Sequence, residues 1–407
     1  MRSVIPADLY YAPYKKSNAM NDNGDMSGNG ENRNILMYSD KTASFDLGAD
    51  HPFKPSRARQ MMELLARYSL IYEKNQLVMP PDPVTDEQLY LFHDQAYIEL
   101  LKKAGRGDFT IDMLSAGLGT DDNPVVPGLA DYCFAAAGGT VQGAAMLAGN
   151  EARVVFNPLG GFHHAGADHA EGFCYVNDLA IAIEDLTRKG KRVAYIDIDV
   201  HFGNGVRDAF VDRSDVLCVS IHESGLSIYP WSGFVEDIGE GAGRGYTVNI
   251  PLMQGSDDGV FLYAFEAIVP PLVESFRPDI VVSVIGADTH KDDLLGHLNL
   301  TSIGYERAVR TINKISPKLL VTGGGGYNLY KTAALWTLAW AAFCGLEPED
   351  SYAGLIGGMM YGPEAQSGTL RDQPYVVSGH LKEQCTEYAQ DVVAYLKRNL
   401  FPIHGLR

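Results

Sequence analysis

The residues point to a single α/β domain built on a mainly parallel central sheet with helices on both faces. Three features of the chain support this. Short apolar runs rich in β-branched residues alternate with longer segments of helical periodicity between residues 35 and 400, the order that produces crossover connections. The runs are close to continuously apolar, as strands covered on both faces must be. Polar, glycine-rich motifs follow the carboxyl ends of several runs, where an open α/β sheet leaves its binding crevice.

Taken in order, residues 1–34 include a polar tract over 18–32 with too few apolar groups to offset its ordering entropy. A flexible N-terminal extension is expected there, with the domain proper over 35–400. Residues 35–38, Ile-Leu-Met-Tyr, read as a first strand, and residues 50–59 lead into a helix running to about residue 68. Further strands are expected at 153–157, 192–198, 215–221, 246–250, 279–285 and 318–322. Helices are expected around 86–104, 128–148, 177–188, 258–275, 302–314, 330–343 and 380–399. No internal repeat or linker divides 35–400.

Composition narrows the function classes. With 407 residues, 46% hydrophobic and 21% charged, the chain has material for one large core. Its 51 acidic residues outnumber 33 basic ones, giving a formal net charge of −18. That balance disfavours a nucleic-acid partner and permits attraction to basic substrates such as lysine side chains. Five cysteines, Cys133, Cys174, Cys218, Cys344 and Cys385, are scattered without CxxC spacing, so neither a disulfide framework nor a thiolate metal site is supported. The start lacks a long apolar segment, and no stretch reaches the roughly eighteen apolar residues of a membrane span. A cytoplasmic protein that binds no membrane is expected, and its oligomeric state is not legible.

The chemistry is concentrated at residues 191–205. There an apolar run ends in Asp197-x-Asp199-x-His201, followed by the turn Phe202-Gly-Asn204-Gly. Alternation along a strand would put Asp197, Asp199 and His201 on one side and Ile196, Ile198 and Val200 on the other. Three other strand ends carry polar motifs: His163-His164 on a glycine-rich turn, Gly286-Ala-Asp288, and Gly323-Gly-Gly-Gly-Tyr327-Asn. Singly, adjacent histidines can be loop donors, an aspartate can cap a helix, and a glycine run can be only a turn. Together they describe a site. Asp199, His201 and Asp288 would supply a catalytic zinc with one imidazole and two carboxylates. His163 and His164 would then handle the proton of a water, with the Tyr327 hydroxyl over the substrate.

The chain from about residue 35 to residue 346 resembles the zinc-dependent histone deacetylases of the arginase/deacetylase superfamily, and within them the bacterial acetoin-utilisation type. The motifs that carry the resemblance are HPFKPSRAR, GLGTDDNP, GGFHHAGADHAEGFCYVND, IDIDVHFGNGVRDAF, SIHESG, VIGADTHKDDLLGHLNLT and TGGGGYN. The resemblance implies an arginase/deacetylase-like fold and a zinc-dependent hydrolase that removes acetyl or other acyl groups from lysine side chains of proteins or peptides. It places the zinc on Asp199, His201 and Asp288, the histidine pair on His163 and His164 backed by Asp197 and Asn204, and the oxyanion-stabilising hydroxyl on Tyr327. Gly172, Phe173 and Tyr229 would wall the acyl tunnel, with Leu295 at its rim. Asp112 would hold the substrate backbone. A structural potassium ion would lie against Asp197, Asp199, His201, Ser220 and Ile221, and Arg57 would line an internal channel. His163, paired with Asp197, is expected to lean cationic, and His164, backed by neutral Asn204, to stay neutral and act as the base.

Three residues depart from the commoner pattern: Asn204 for aspartate, Phe202 for a second histidine, and Tyr229 for phenylalanine. Three rival readings stand beside the deacetylase. An arginase-like two-metal hydrolase would want further carboxylates where Gly203 and Gly286 stand. An acetylpolyamine amidohydrolase would act on small cations. A catalytically weak acetyl-lysine binding protein would have lost the hydroxyl that Tyr327 retains.

Overall fold

A computed structural model describes residues 33–71, 75–349 and 370–407. The expected flexible extension therefore lies almost wholly outside the described residues. Eight strands form one sheet: β1 (Asn34–Met37), β2 (Gln76–Met79), β3 (Val154–Asn157), β4 (Val193–Asp197), β5 (Val216–Glu223), β6 (Thr247–Leu252), β7 (Ile280–Val284) and β8 (Leu319–Thr322). Their order across the sheet is β2-β1-β3-β8-β7-β4-β5-β6, and every neighbouring pair is parallel. β3, β4, β7 and β8 are buried at every residue, which accounts for their near-continuous apolar sequences.

Helices cover both faces in two groups. Leu129–Ala148 packs against Asp178–Arg188 and Gln95–Gly105, and also against β3 and β8. The other group contains Ser56–Arg67, Leu329–Cys344, Ser302–Ile315, Asp258–Phe276 and Gly379–Asn399, each packed against the next. Four of these helices begin where a short polar side chain takes an orphan amide. Asn177 accepts from Ala180, Asp257 from Val260, Thr301 from Ile303 and Asn328 from Lys331.

The folded chain differs from the sequence reading in several places, among them unexpected short helices at Asp40–Ala43, Ile111–Ser115 and Asn204–Phe210. β2 was not expected: its four residues, Gln-Leu-Val-Met, are half-buried at the sheet edge, too short to show a period. The helix expected over 86–104 is two helices, Asp86–Leu89 and Gln95–Gly105. The break falls at Asp94, whose backbone is extended and whose amide donates to Ala167. Finally, Asp258–Phe276 is long and apolar enough to span a membrane. It packs against β5, β6 and two helices, and its apolar surface is that of a core helix.

Candidate active site

The site sits at the carboxyl ends of β3, β8, β7 and β4, four strands consecutive in the sheet although 154 to 322 in the chain. β4 ends at Asp197, so strict alternation stops there. The Asp197 carboxylate accepts the amide of Asp199 at 2.9 Å, and the Asp199 carboxylate accepts that of His201 at 3.0 Å. Two successive side-chain turns thus replace ladder bonds and curl the backbone. The curl separates the three residues in function. Asp197 faces His163 and the Tyr195 hydroxyl, while Asp199 and His201 face Asp288.

The ligand atoms of Asp199, His201 and Asp288 lie within 4.8 Å of one another, and all three residues are buried. His201 Nδ1 is 3.2 Å from Asp199 Oδ1 and 3.2 Å from Asp288 Oδ2. Ligands held at ~2.0 Å around a tetrahedral ion stand about 3.3 Å apart, so this spacing fits zinc. Each carboxylate has its other oxygen tied to the backbone: Asp199 Oδ2 accepts from Gly325 at 2.6 Å, and Asp288 Oδ1 from Val200 at 2.9 Å. With protons alone the cluster is in conflict. Burial and the Asp199 charge push Asp288 up to about 7. Burial would lower His201, but the hydrogen-bonded carboxylates outweigh it and bring it to about 10. A divalent cation in place of these protons resolves the conflict.

The bridging carboxylates of an arginase-like metal pair are missing, and glycines stand where they would be needed. A Cβ at Gly286 would lie 2.2 Å from Asp199 Oδ2, and one at Gly203 would lie 2.8 Å from Asp197 Oδ2. The carboxylates that an arginase-like pair would need cannot be accommodated at those positions.

The histidine pair follows β3. His163 Nδ1 is 2.7 Å from Asp197 Oδ2, His164 Nδ1 is 2.7 Å from Asn204 Oδ1, and the two Nε2 atoms converge at 3.1 Å. Their environments drive them apart. For His163, burial lowers the pKa, but the charges of Asp197 and Asp199 more than offset it and raise it above the ordinary value. For His164, burial and the cationic neighbours His163 and His201 push it well below. The expected division into a cationic and a neutral imidazole is what the surroundings favour.

Tyr327 follows the glycine run of β8. It is buried, with its ring edge-on to His201 at 6.3 Å and to Phe173 at 5.8 Å. Burial and the nearby carboxylates raise the phenol well above its usual value, so the hydroxyl keeps its proton. The run must be glycine, because a Cβ at Gly325 would stand 2.0 Å from Asp288 Oδ2. Arg57 is fully buried beneath this turn: its guanidinium donates to the carbonyls of Gly324 and Gly326 and stacks on Phe53 and Trp336.

Gly172 and Phe173 are the two central residues of a tight turn closed by paired hydrogen bonds between Glu171 and Cys174. Both have positive φ, +52° and +66°, the pattern of a type I′ turn. The turn presents Phe173 to Tyr327, and it lets the backbone at Gly172 approach His164 and Tyr229 too closely for any Cβ. Tyr229 packs edge-on to His164 at 5.1 Å. Outside this wall opens a cleft of about 930 Å³ whose lining includes Leu47, His51, Asp121, Asp122, Phe173 and Leu295.

Asp112 does not line that cleft. It lies in the short helix Ile111–Ser115 with its side chain exposed. Asp121 and Asp122 stand at the mouth instead, within the GLGTDDNP motif already singled out. Ser220 pairs in register with Asp197 on the adjoining strand, and Ile221 follows it. Phe202 packs on the His222 ring at 5.0 Å. Sequence reasoning also missed Glu171 and Asp293, single carboxylates whose partners are distant in the chain.

A sequence model described as Histone deacetylase domain matches residues 51–343. Histone deacetylase RPD3 of Saccharomyces cerevisiae is 36% identical over 307 residues, 75% of this chain and 70% of its own length. Histone deacetylase 19 of Arabidopsis thaliana is 36% identical over 317 residues, 77% of this chain and 62% of its own. The crystal structure of an HDAC homolog from Aquifex aeolicus matches with a TM-score of 0.79 at 32% identity, covering 90% of this chain and 100% of that one. An HDAC homolog complexed with SAHA matches with a TM-score of 0.77 at 32% identity, over 89% and 99%.

Proposed function

Because the chain belongs to the histone deacetylase family, we propose that it hydrolyses acetyl-lysine side chains of proteins or peptides, using zinc held by Asp199, His201 and Asp288. The observation that carries this reading is the convergence of that ligand set, an asymmetric histidine pair and a protonated tyrosine behind the aromatic rings of Phe173 and Tyr229. When bound, zinc supplies Lewis acidity towards a carbonyl oxygen and acidifies a water.

The protein's own groups supply the rest. His164, neutral and with Nδ1 engaged by Asn204, keeps Nε2 as the acceptor, facing His163 Nε2 at 3.1 Å, and takes the proton of the attacking water there. His163, held towards the cationic form by Asp197, donates a proton to the departing lysine nitrogen. Tyr327 donates its O–H to the oxyanion that develops on the acetyl carbonyl. Acetate and free lysine result. Gly172, Phe173 and Tyr229 exclude water around the lysine stem, and Leu295 borders the entrance. The role expected of Asp112, holding the substrate backbone, passes by position to Asp121 and Asp122.

A potassium ion against Asp197, Asp199, His201, Ser220 and Ile221, and membership of the acetoin-utilisation type, belong to the same proposal and rest on the motif resemblance. Five free cysteines suit a reducing compartment, and we place the protein in the cytoplasm. The wide cleft favours a peptide over a small amine, since a polyamine would leave most of it unfilled. The test is kcat/KM for the zinc-loaded enzyme on acetyl- and longer acyl-lysine peptides beside acetylated polyamines. Faster turnover of the polyamines would replace this reading with the amidohydrolase one. Tight acetyl-lysine binding without turnover would favour a binding protein.

A further inference from the structure

Asn204 touches His164 through an amide, and an amide has two unlike ends. With its oxygen towards His164 it accepts the Nδ1–H and leaves Nε2 with a lone pair. With its NH2 there instead, it would donate to Nδ1 and force the proton onto Nε2, where His164 could no longer accept one. His163 Nε2, 3.1 Å from His164 Nε2, favours the first arrangement while it carries a proton, but nothing in the Asn204 amide itself selects between the two.

On the Asn204 side the selection comes from Glu171. Its Oε2 stands 3.1 Å from Asn204 Nδ2, and its Oε1 accepts the Tyr229 hydroxyl at 2.5 Å. A carboxylate only accepts, so the amide must turn its NH2 to Glu171 and its oxygen to His164. Glu171 is kept in the carboxylate form. Partial burial works against ionisation, but donors from His169, Tyr229 and Asn204 hold its pKa below the usual range. His169 Nε2 lies 3.4 Å away on the solvent side. The Tyr229 ring, anchored by this hydroxyl, packs on the same His164 imidazole.

We propose that Glu171 is a positioning residue that sets the tautomer of His164 through Asn204 and fixes Tyr229 against the same ring. Two of the three departures from the commoner family pattern, Asn204 and Tyr229, are thereby partners of one carboxylate. An aspartate at position 204 offers an acceptor oxygen in either orientation and needs no such lock; beside Glu171 it would add a like charge about 3 Å away. Asn204 and Glu171 are a matched pair.

This inference rests on the reading of His164 as the base, and the experiment separates the two. Glu171→Leu removes the acceptor. It should lower kcat about three- to tenfold, the scale of losing one ordinary oriented hydrogen bond, with KM changed less. Glu171→Gln, which keeps an acceptor oxygen, should restore most of the loss. In the Glu171→Leu background Asn204→Asp should raise kcat towards the wild-type value, whereas in the wild-type background the same change should bring no gain. In folded, histidine-labelled protein, 15N–1H spectra should show His164 as the Nδ1–H tautomer in the wild type and a mixture in Glu171→Leu. An unchanged tautomer, or an Asn204→Asp effect equal in both backgrounds, overturns the role of Glu171 while leaving the deacetylase reading intact. Wild-type protein inactive on every acyl-lysine peptide would remove the premise itself.

Discussion

The Asp293 carboxylate accepts the backbone N–H of Tyr327 at 2.7 Å with one oxygen and that of Leu295 at 2.9 Å with the other. One side chain therefore ties the buried tyrosine to a leucine that lines the outer cleft. Asp293→Ala should orphan both amides, costing about 1–3 kcal/mol of stability, and let Tyr327 drift. Melting temperature and kcat should fall together, with zinc content unchanged. A normal kcat in the mutant would show that the glycine turn and Arg57 hold Tyr327 without Asp293.

Tyr327→Phe keeps the ring packing against Phe173 and His201 and removes only the donor. The expected loss in kcat is about two to three decades, roughly 3–4 kcal/mol, as for removal of one oxyanion donor. Zinc content and melting temperature should hold. Near-normal turnover would assign the oxyanion to another group.

Loading of zinc should release protons in a pH-dependent number. His201, brought to about 10, carries a proton at neutral pH that a metal must displace. Asp288, at about 7, adds a second below that pH and none well above it. Calorimetry of the chelated protein in buffers of different ionisation enthalpy should give about one proton at pH 8.5, rising towards two near pH 6. Asp288→Ala, lacking one of three ligands, should load poorly and lose the rise. A count that is flat with pH would remove Asp288 from the ligand set.

The acidic limb of kcat/KM should lie well below the ordinary histidine range, because burial and the cationic His163 depress His164, the metal's charge takes the place of the proton on His201, and a base must be neutral to act. Asn204→Asp adds a negative charge beside Nδ1, favours the imidazolium and raises that pKa, so the limb should move to higher pH by about one unit. The comparison requires the same metal in both proteins. A limb that stays put or moves down would make His163 or an ionisation at the metal the titrating group.

Much of this was legible in the chain. Seven of the eight strands lie within a few residues of their expected places, because strands buried on both faces leave continuous apolar runs and several of the helices between them begin at polar caps. The ligand set and the histidine pair could be read from residues at strand ends, since a parallel sheet brings every carboxyl end to one edge whatever the strand order. The order itself needed the fold. β3, β8, β7 and β4 are consecutive in space because crossovers carry the chain over the sheet faces, and no local pattern records which strand a crossover returns to. Contacts made at such range are equally silent. Glu171 meets Asn204 across 33 residues and Tyr229 across 58, and Asp293 meets Tyr327 across 34. Asp112 and Asp122 look alike as sequence, but only Asp122 faces the cleft. The function of such side chains is decided by what packs against them, which is a property of the folded chain alone.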